Sequence, residues 1–539
     1  MESSRAKFEL TILISILAII MLATANLWGV VETSEARYAE ISREMVRSGD
    51  WLHPTLLKIH HYHKPPVTYW LTAVAYSIFG VNAFATRFFL LITYCIQVLL
   101  VYKLGKILFR NELTAYYSAV VYGTLPLVLI SVRGLTTDAY LNLFVLLSLY
   151  WWVKFLKTQT PFFFYLTCLS LGLGFTTKGP VIFIVPLFAA AGTWTLLPRP
   201  RLNIVHVLTG LSIFVAVGFW WFGYLIREDG SFADYFVFHH LVDRVAHAEV
   251  FSRKEPWFYY LPIVPLVTLP WIVTFLKQIF SRGIQNDDEP MSKRIFVWWF
   301  LVPLLLFSVA SSKLVLYILP LSTGFSLVAG HGVSKFNRVS QISYVVLAGL
   351  VYVILIVIPF FIPQINMNAT FIFVPAVCLL VSVAMCFLNN YLPRLVTVVS
   401  GLFAANLLIY SSLLFHYNSR EANTVTQVAT FIKQNNLQDR QIVVYNELLP
   451  SLSFELDRDI VSVYAGNRSL QREVQFEQTT LWQASLVDTT TDPGVEALQH
   501  LLKNKSVIVT KADSSPLLRA MMAGDWKKQN IGKWTIYYN

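Results

Sequence analysis

Two glutamates, Glu32 and Glu35, share the string Glu32-Thr-Ser-Glu-Ala-Arg-Tyr-Ala-Glu40 with Arg37 and Tyr38. An ionised carboxylate in a pocket can orient an acceptor or take its proton as it attacks. Spacing of three makes the two acids neighbours on a helix, while on a turn they diverge. The plainer alternative for Glu35 is an acid that pairs with a nearby arginine or caps a helix. The next polar string is His60-His-Tyr-His-Lys-Pro-Pro66. Lys64 is a cation suited to a phosphate, beside backbone stiffened by two prolines. The ordinary alternative is a lysine snorkelling to lipid headgroups. The histidines, His63 among them, are of a metal-ligating type, but their spacing does not mark a site.

Four later islets carry similar chemistry. Asp138 closes Arg133-Gly-Leu-Thr-Thr-Asp138 and opens an apolar stretch, which also suits a helix N-cap. Lys178 lies in Thr177-Lys-Gly-Pro180, just before another apolar stretch. Phe238-His-His-Leu-Val-Asp-Arg244 holds His240 and an arginine whose forked guanidinium could grip a phosphodiester oxygen. Ser311-Ser-Lys-Leu-Val-Leu-Tyr-Ile-Leu-Pro320 places Lys313 at an edge, with Tyr317 about one helical turn further on.

The elements that must position these islets are apolar helices. Of 539 residues, 55% are hydrophobic and 14% charged, against roughly 25% charged in soluble domains. The chain is therefore an integral membrane protein. Candidate spans are 8–29, 84–107, 113–131, 138–156, 161–176, 179–197, 204–224, 258–278, 294–310, 314–332, 342–362, 370–388 and 393–415, about thirteen in all. With the N-terminus inside, alternate loops collect Lys103, Lys106, Lys154, Arg199, Lys277, Lys293 and Lys335, as the positive-inside rule requires. That rule also accounts for the net charge of +11 without a nucleic-acid partner.

Every islet then falls outside, where Lys64, Lys178, Arg244 and Lys313 run against the charge bias. Cations gathered there imply an anionic ligand, and a lipid phosphate suits a site between spans. In the first outside loop, residues 36–47 have the pattern of an amphipathic helix on the membrane surface. Residues 66–80 read as a second interfacial or re-entrant helix. The four cysteines all lie in apolar segments and form no disulfide framework.

After residue 416 the pattern changes. Ile442–Tyr445, Ile460–Tyr464, Ser506–Thr510 and Trp534–Tyr538 read as strands, with helical patterns near 423–435, 495–503 and 515–523. Two domains follow, a transmembrane one at 1–415 and an outside α/β one at 416–539. The second has no GxGxxG or Walker motif.

The strings Ser34-Glu-Ala-Arg-Tyr-Ala-Glu-Ile-Ser-Arg-Glu-Met45, Gly49-Asp-Trp51 and Lys64-Pro-Pro-Val-Thr-Tyr-Trp-Leu71 resemble those of the bacterial aminoarabinose transferases. These belong to the protein-mannosyltransferase-like GT-C glycosyltransferases. The likeness continues in order through Asp138, Lys178, the His-Leu…Arg segment, Pro256-Trp-Phe-Tyr-Tyr260 and Ser312-Lys-Leu to Pro320.

The resemblance implies a GT-C fold and a polyprenyl (undecaprenyl) phosphate sugar donor. It implies a lipid A phosphate as acceptor of 4-amino-4-deoxy-L-arabinose, or a protein Ser/Thr in the mannosyltransferase relatives. It places the protein in the bacterial inner membrane, N-terminus cytoplasmic and C-terminal domain periplasmic. Lys64, Arg244 and Tyr317 match positions that handle the lipid phosphate, and His63 and His240 fall near positions that can hold a divalent metal. The family's acidic motif reads Asp-Glu-x-Arg-Tyr. Ser34 stands where the first acid usually sits and Glu35 matches the second, which leaves Glu35 and Glu32 as the candidate catalytic acids. A different class, a transporter of lipid-linked sugars, would place ionisable residues near the bilayer midplane. Here they sit at one face.

Overall fold

The computed structural model describes residues 3–193, 197–235, 255–280, 289–366, 368–387, 392–418, 422–466, 470–511, 516–522 and 525–539. Among these, nine helices are long and apolar enough to cross a membrane, and a bent pair raises that to as many as ten. Most of the difference from thirteen expected spans has a local cause; span 161–176 is instead one unbroken 18-residue helix, Pro161–Lys178, outside that count. Span 113–131 is broken into Glu112–Gly123 and Pro126–Ser131, and span 258–278 into Tyr260–Val267 and Ile272–Phe280, which meet at 109°. Pro126 and Pro270 stand at these breaks, where the ring removes a donor and restricts the residue before it. The two breaks meet, because Trp271 Nε1 donates to Thr124 Oγ1 at 3.1 Å. Residues 179–197 shorten to Pro180–Phe183 and Ile184–Thr193.

The first loop holds the two expected short helices, Ser34–Ser48 and Val67–Phe79. Gly49 ends the first with φ of 74°, its N–H donating to Met45 O at 3.0 Å. This left-handed stop suits glycine, which has no Cβ to clash.

The expectation that Ser34–Ser48 lies on a membrane surface with its polar face in water needs correction. Glu35, Glu40, Arg43 and Glu44 are all buried. Arg43 Nε and Nη2 donate to Glu40 at 2.8 and 2.6 Å. Ser453 Oγ donates to Glu40 Oε1 at 2.7 Å, and Arg43 Nη2 reaches Asp459 at 3.6 Å. Glu40 and Arg43 meet the C-terminal domain, which sits on them as a roof, while Glu44 is held by Thr55 and Lys58 of the first loop. Arg47–Asp457 at 3.0 Å and Lys58–Asp459 at 2.7 Å extend the seam.

That domain follows the last long helix, Leu392–Tyr417. Its six strands run in the order Leu486–Asp488, Val461–Tyr464, Gln441–Tyr445, Ser506–Thr510, Trp534–Tyr538, Lys527–Ile531. The first four are parallel and the last two antiparallel to their neighbours. Val443, Val463 and Ile508 bury one face against Leu498 and Leu502 of helix Asp492–Lys503. The seam with the first loop is made by helix Pro450–Leu456, by Asp457 and Asp459, and by Gln475, Phe476 and Glu477.

Candidate functional site

The polar islets assemble into three groups. The first surrounds His61, which is buried. Burial, with His63, Arg37, Arg472 and Lys64 around it, holds its pKa well below the usual imidazole value. His61 is thus neutral at physiological pH, inside a ring of fixed cations. Arg37 is half-buried and, among the described residues, has no carboxylate partner. Tyr38 packs on Tyr69 of the apolar helix at 5.7 Å between ring centroids, and Arg37 lies within electrostatic reach of the same tyrosine. Of the two half-buried cations, Arg37 therefore stands beside aromatic surface, and Lys64 lies within electrostatic reach of His61. Such a setting suits an anion carried on a hydrocarbon chain.

The C-terminal domain closes this group. Gln475 Nε2 donates to His63 Nε2 at 3.2 Å. His63 Nδ1 then carries the ring proton and faces Tyr235 Oη at 2.6 Å. The Phe476 ring packs on His63 and Tyr62 at 5.2 Å and on Tyr235 at 4.6 Å. Glu477 takes hydrogen bonds from the His60 backbone N–H at 2.7 Å and its ring at 2.9 Å. Both nitrogens of His63 are engaged, and among the described residues no three His, Cys, Asp or Glu side chains are arranged to hold a metal. His240 and Arg244 lie outside the described residues.

The second group holds Asp138, Lys178 and Tyr317. Asp138 is not the N-cap of Thr137–Thr158; Thr136 is, with its hydroxyl accepting from Asp138 N. The Asp138 carboxylate instead pairs with Lys178 Nζ, and both are about nine-tenths buried. Lys178 Nζ also sits 4.7 Å from the Tyr317 ring centroid, within cation–π range. Lys178 is therefore charge-balanced. Lys313, also buried, donates to the Glu255 carbonyl at 2.8 Å. Tyr235 and Glu255, which flank residues 236–254, thus attach to the first group and to Lys313 respectively.

The third group holds the two candidate acids, which diverge. Glu35 Oε1 accepts from Arg87 Nε at 2.9 Å and Leu135 N at 3.1 Å. Its Oε2 accepts from Arg87 Nη2 and Val31 N, both at 3.0 Å. Four donors occupy about all the lone-pair sites a carboxylate offers. Glu32 Oε1 accepts from Ser451 N at 2.9 Å, at the first turn of helix Pro450–Leu456. One acid braces the membrane part and the other receives the C-terminal domain.

Sequence reading missed Arg87, Arg472, Gln475 and Phe476. Arg87 lies within an apolar span, where a lone arginine faces the protein interior and needs a partner. That was a readable signal. The other three sit in a domain whose contact with the first loop no local pattern announces.

Comparison with known proteins follows the same lines. Residues 63–221 match the family described as dolichyl-phosphate-mannose-protein mannosyltransferase. The undecaprenyl phosphate-alpha-4-amino-4-deoxy-L-arabinose arabinosyl transferase of Pectobacterium atrosepticum is 30% identical over 348 residues, 62% of this chain and 60% of that one. The Yersinia enterocolitica protein of the same name is 31% identical over 302 residues, 55% of this chain and 54% of that one. The chain thus spans less than two thirds of these relatives in matched sequence. The crystal structure of ArnT from Cupriavidus metallidurans bound to undecaprenyl phosphate has a TM-score of 0.80 and 19% identity, covering 98% of this chain and 97% of that one. Its apo form gives 0.79. The fold is accordingly that of these ArnT structures, a multi-pass helical membrane part followed by a C-terminal sheet domain, and the resemblance read from the motif order is borne out.

Proposed function

We propose that this chain, a member of the aminoarabinose-transferase and protein-mannosyltransferase-like GT-C group, moves a sugar from a polyprenyl phosphate to an acceptor at the outer face of the inner membrane. The sugar is 4-amino-4-deoxy-L-arabinose and the acceptor a lipid A phosphate. The observation that carries this reading is the pair of half-buried cations, Arg37 and Lys64, within electrostatic reach of neutral His61, with Arg37 also beside Tyr38 and Tyr69.

In this reading the acceptor phosphate oxygen attacks the anomeric carbon. The bond from that carbon to the donor phosphate oxygen breaks, and the lipid phosphate leaves with the electron pair. Direct displacement inverts the anomeric centre. Arg37 and Lys64 stabilise the charge that grows on the leaving phosphate, with Arg472 adding positive potential from above. Arg244 and Tyr317 join them by resemblance. An acceptor phosphate oxygen carries no proton that must be removed, so the reaction needs no strong base. This fits Ser34 at the position of an acid, and it assigns Glu35 and Glu32 to positioning. N-terminus inside and C-terminal domain in the periplasm complete the reading.

The mannosyltransferase family match favours a second acceptor, protein Ser/Thr. Mass spectrometry of lipid A and of glycoproteins from cells with and without the protein separates the two. Lipid A should lose its aminoarabinose in the absence of the protein. An unchanged lipid A with an altered glycoprotein would overturn the first reading. In purified protein, Arg37→Gln should lower transfer from undecaprenyl-phosphate aminoarabinose about 100-fold, with melting unchanged.

A further inference from the structure

Residues 50–53 follow the Gly49 stop of the first-loop helix and run to the outer end of span Ile204–Glu228. Asp50 Oδ1 accepts from the Leu52 and His53 backbone N–H groups at 2.9 and 3.0 Å. Trp221 of the span donates its Nε1 hydrogen to Leu52 O at 2.9 Å. The His53 ring closes the contact. Its Nδ1 stands 2.7 Å from Asp50 Oδ2, and its Nε2 stands 2.7 Å from Glu228 Oε2.

A neutral imidazole carries one N–H. Only the doubly protonated ring can donate to both carboxylates, so this geometry is that of an imidazolium. Burial opposes the charge, but the hydrogen bonds to Glu228 and Asp50 outweigh it and raise the His53 pKa above the ordinary imidazole value. Two more titratable groups face the ring. Tyr224, whose hydroxyl donates to Glu228 Oε1 at 2.6 Å, packs on it at 5.8 Å between centroids. His60, bonded to Glu477, meets it edge-on at 6.5 Å. When His53 loses a proton, Asp50 in the same turn keeps the Nδ1–H. The Nε2 lone pair is then left against the Glu228 carboxylate, and attraction between the first loop and the span turns to repulsion.

This contact bears on the group around His61. Trp221 packs edge-on against Tyr62 at 6.3 Å, and Phe232, just beyond the span, packs on the same ring at 5.5 Å. Tyr62 lies between His61 and His63, two residues before Lys64. We propose that His53 is a positioning residue for sugar transfer: as an imidazolium it pins the outer end of span Ile204–Glu228 to the first loop, and so holds Tyr62 and the string that carries Lys64 in the shape that receives the donor phosphate. His53 itself touches no reacting atom, and its role rests on the transferase reading above. The pin is complete below about pH 6.5 and is lost as pH rises through the raised His53 value. Its three side chains are partly exposed, so its effect is about fivefold, the scale of an exposed ion pair.

Transfer from undecaprenyl-phosphate aminoarabinose to lipid A by the purified full chain, followed from pH 6 to 9, tests this. kcat/KM should fall about fivefold as His53 is deprotonated. His53→Gln should sit at the lower level throughout and lack that limb. Exchange of the His53 ring C2 hydrogen, read by mass spectrometry, follows the titration of this ring alone. Its midpoint should lie above the ordinary imidazole value in the parent and fall toward it in Glu228→Gln. Backbone amide exchange over residues 222–228 at pH 6 should be about fivefold faster in His53→Gln than in the parent. The same alkaline limb in His53→Gln, a His53 midpoint at or below the ordinary value, or unchanged exchange over 222–228 would overturn the proposal. A protein that transfers no sugar in any form overturns the transferase reading and with it the positioning role, while the two exchange measurements judge the pin itself.

Discussion

Arg87 reaches across 52 residues of sequence to give Glu35 two hydrogen bonds, at 2.9 and 3.0 Å, in a setting where both side chains are at least 95% buried. The same guanidinium holds the carbonyls of Trp28 and Gly29 at 3.1 Å. It ties the end of the first span to the start of the first-loop helix.

Glu35→Gln removes the negative partner and leaves Arg87 as a buried unpaired charge, a change that typically costs about 3–5 kcal/mol. The melting temperature of the purified protein should fall, with transfer activity falling in step. Arg87→Lys should not restore it, because an ammonium lacks the fork that meets both carboxylate oxygens. A Glu35→Gln protein that melts like the parent but has lost transfer would instead make Glu35 part of the chemistry.

Glu44 lies under the C-terminal domain, and burial, then repulsion from Glu40, pushes its pKa up to about 8. Thr55 and Lys58 hydrogen bonds oppose this only in part. The unfolded chain releases this proton near 4.5 while the folded one keeps it to about 8. Stability should therefore fall as pH rises through that window, by about 1 kcal/mol per unit. Thermal melts between pH 5 and 8 should show the slope, and Glu44→Gln should flatten it. An unchanged slope in the variant would mean another group is responsible.

Asp138 and Lys178 form a mostly buried pair over Tyr317. Asp138→Asn should destabilise the protein by roughly 3 kcal/mol by stranding the lysine. Asp138→Asn with Lys178→Met should recover much of that, since the two are coupled. Melting and transfer measured on all four members of the cycle separate the roles. Stability regained without transfer assigns the pair to the site, and recovery of both assigns it to structure alone.

The helices were largely legible in the sequence because a bilayer demands long apolar runs, and prolines marked where those runs would break only once packing was known. The four strands read from their Val, Ile and Tyr runs are all present. Leu486–Asp488 was too short to stand out, and Lys527–Ile531 too polar, since it is an exposed edge. The first-loop helix was found and its surroundings misjudged. Its alternation of Arg and Glu fits water as well as it fits Ser453, Asp457 and Asp459 more than 400 residues away. The candidate site divided in the same way. Lys64, Arg37 and the Asp138–Lys178–Tyr317 set could be named from local strings. The partners that give each its role, Arg87 for Glu35 and Arg472 for the His61 cluster, depend on long-range contacts.

The seam between the first loop and the C-terminal domain also sets a clock. Arg37 and Lys64 leave the ribosome early, and Arg472, Gln475 and Phe476 leave it near the end. At about 5–20 residues per second the interval is roughly 20 to 90 s. Through that interval the spans can insert and pack, but the cation ring around His61 lacks its upper wall. A nascent chain is thus a membrane bundle in which the group around His61 is still open, and that group is closed by Arg472, Gln475 and Phe476 only when synthesis is nearly complete.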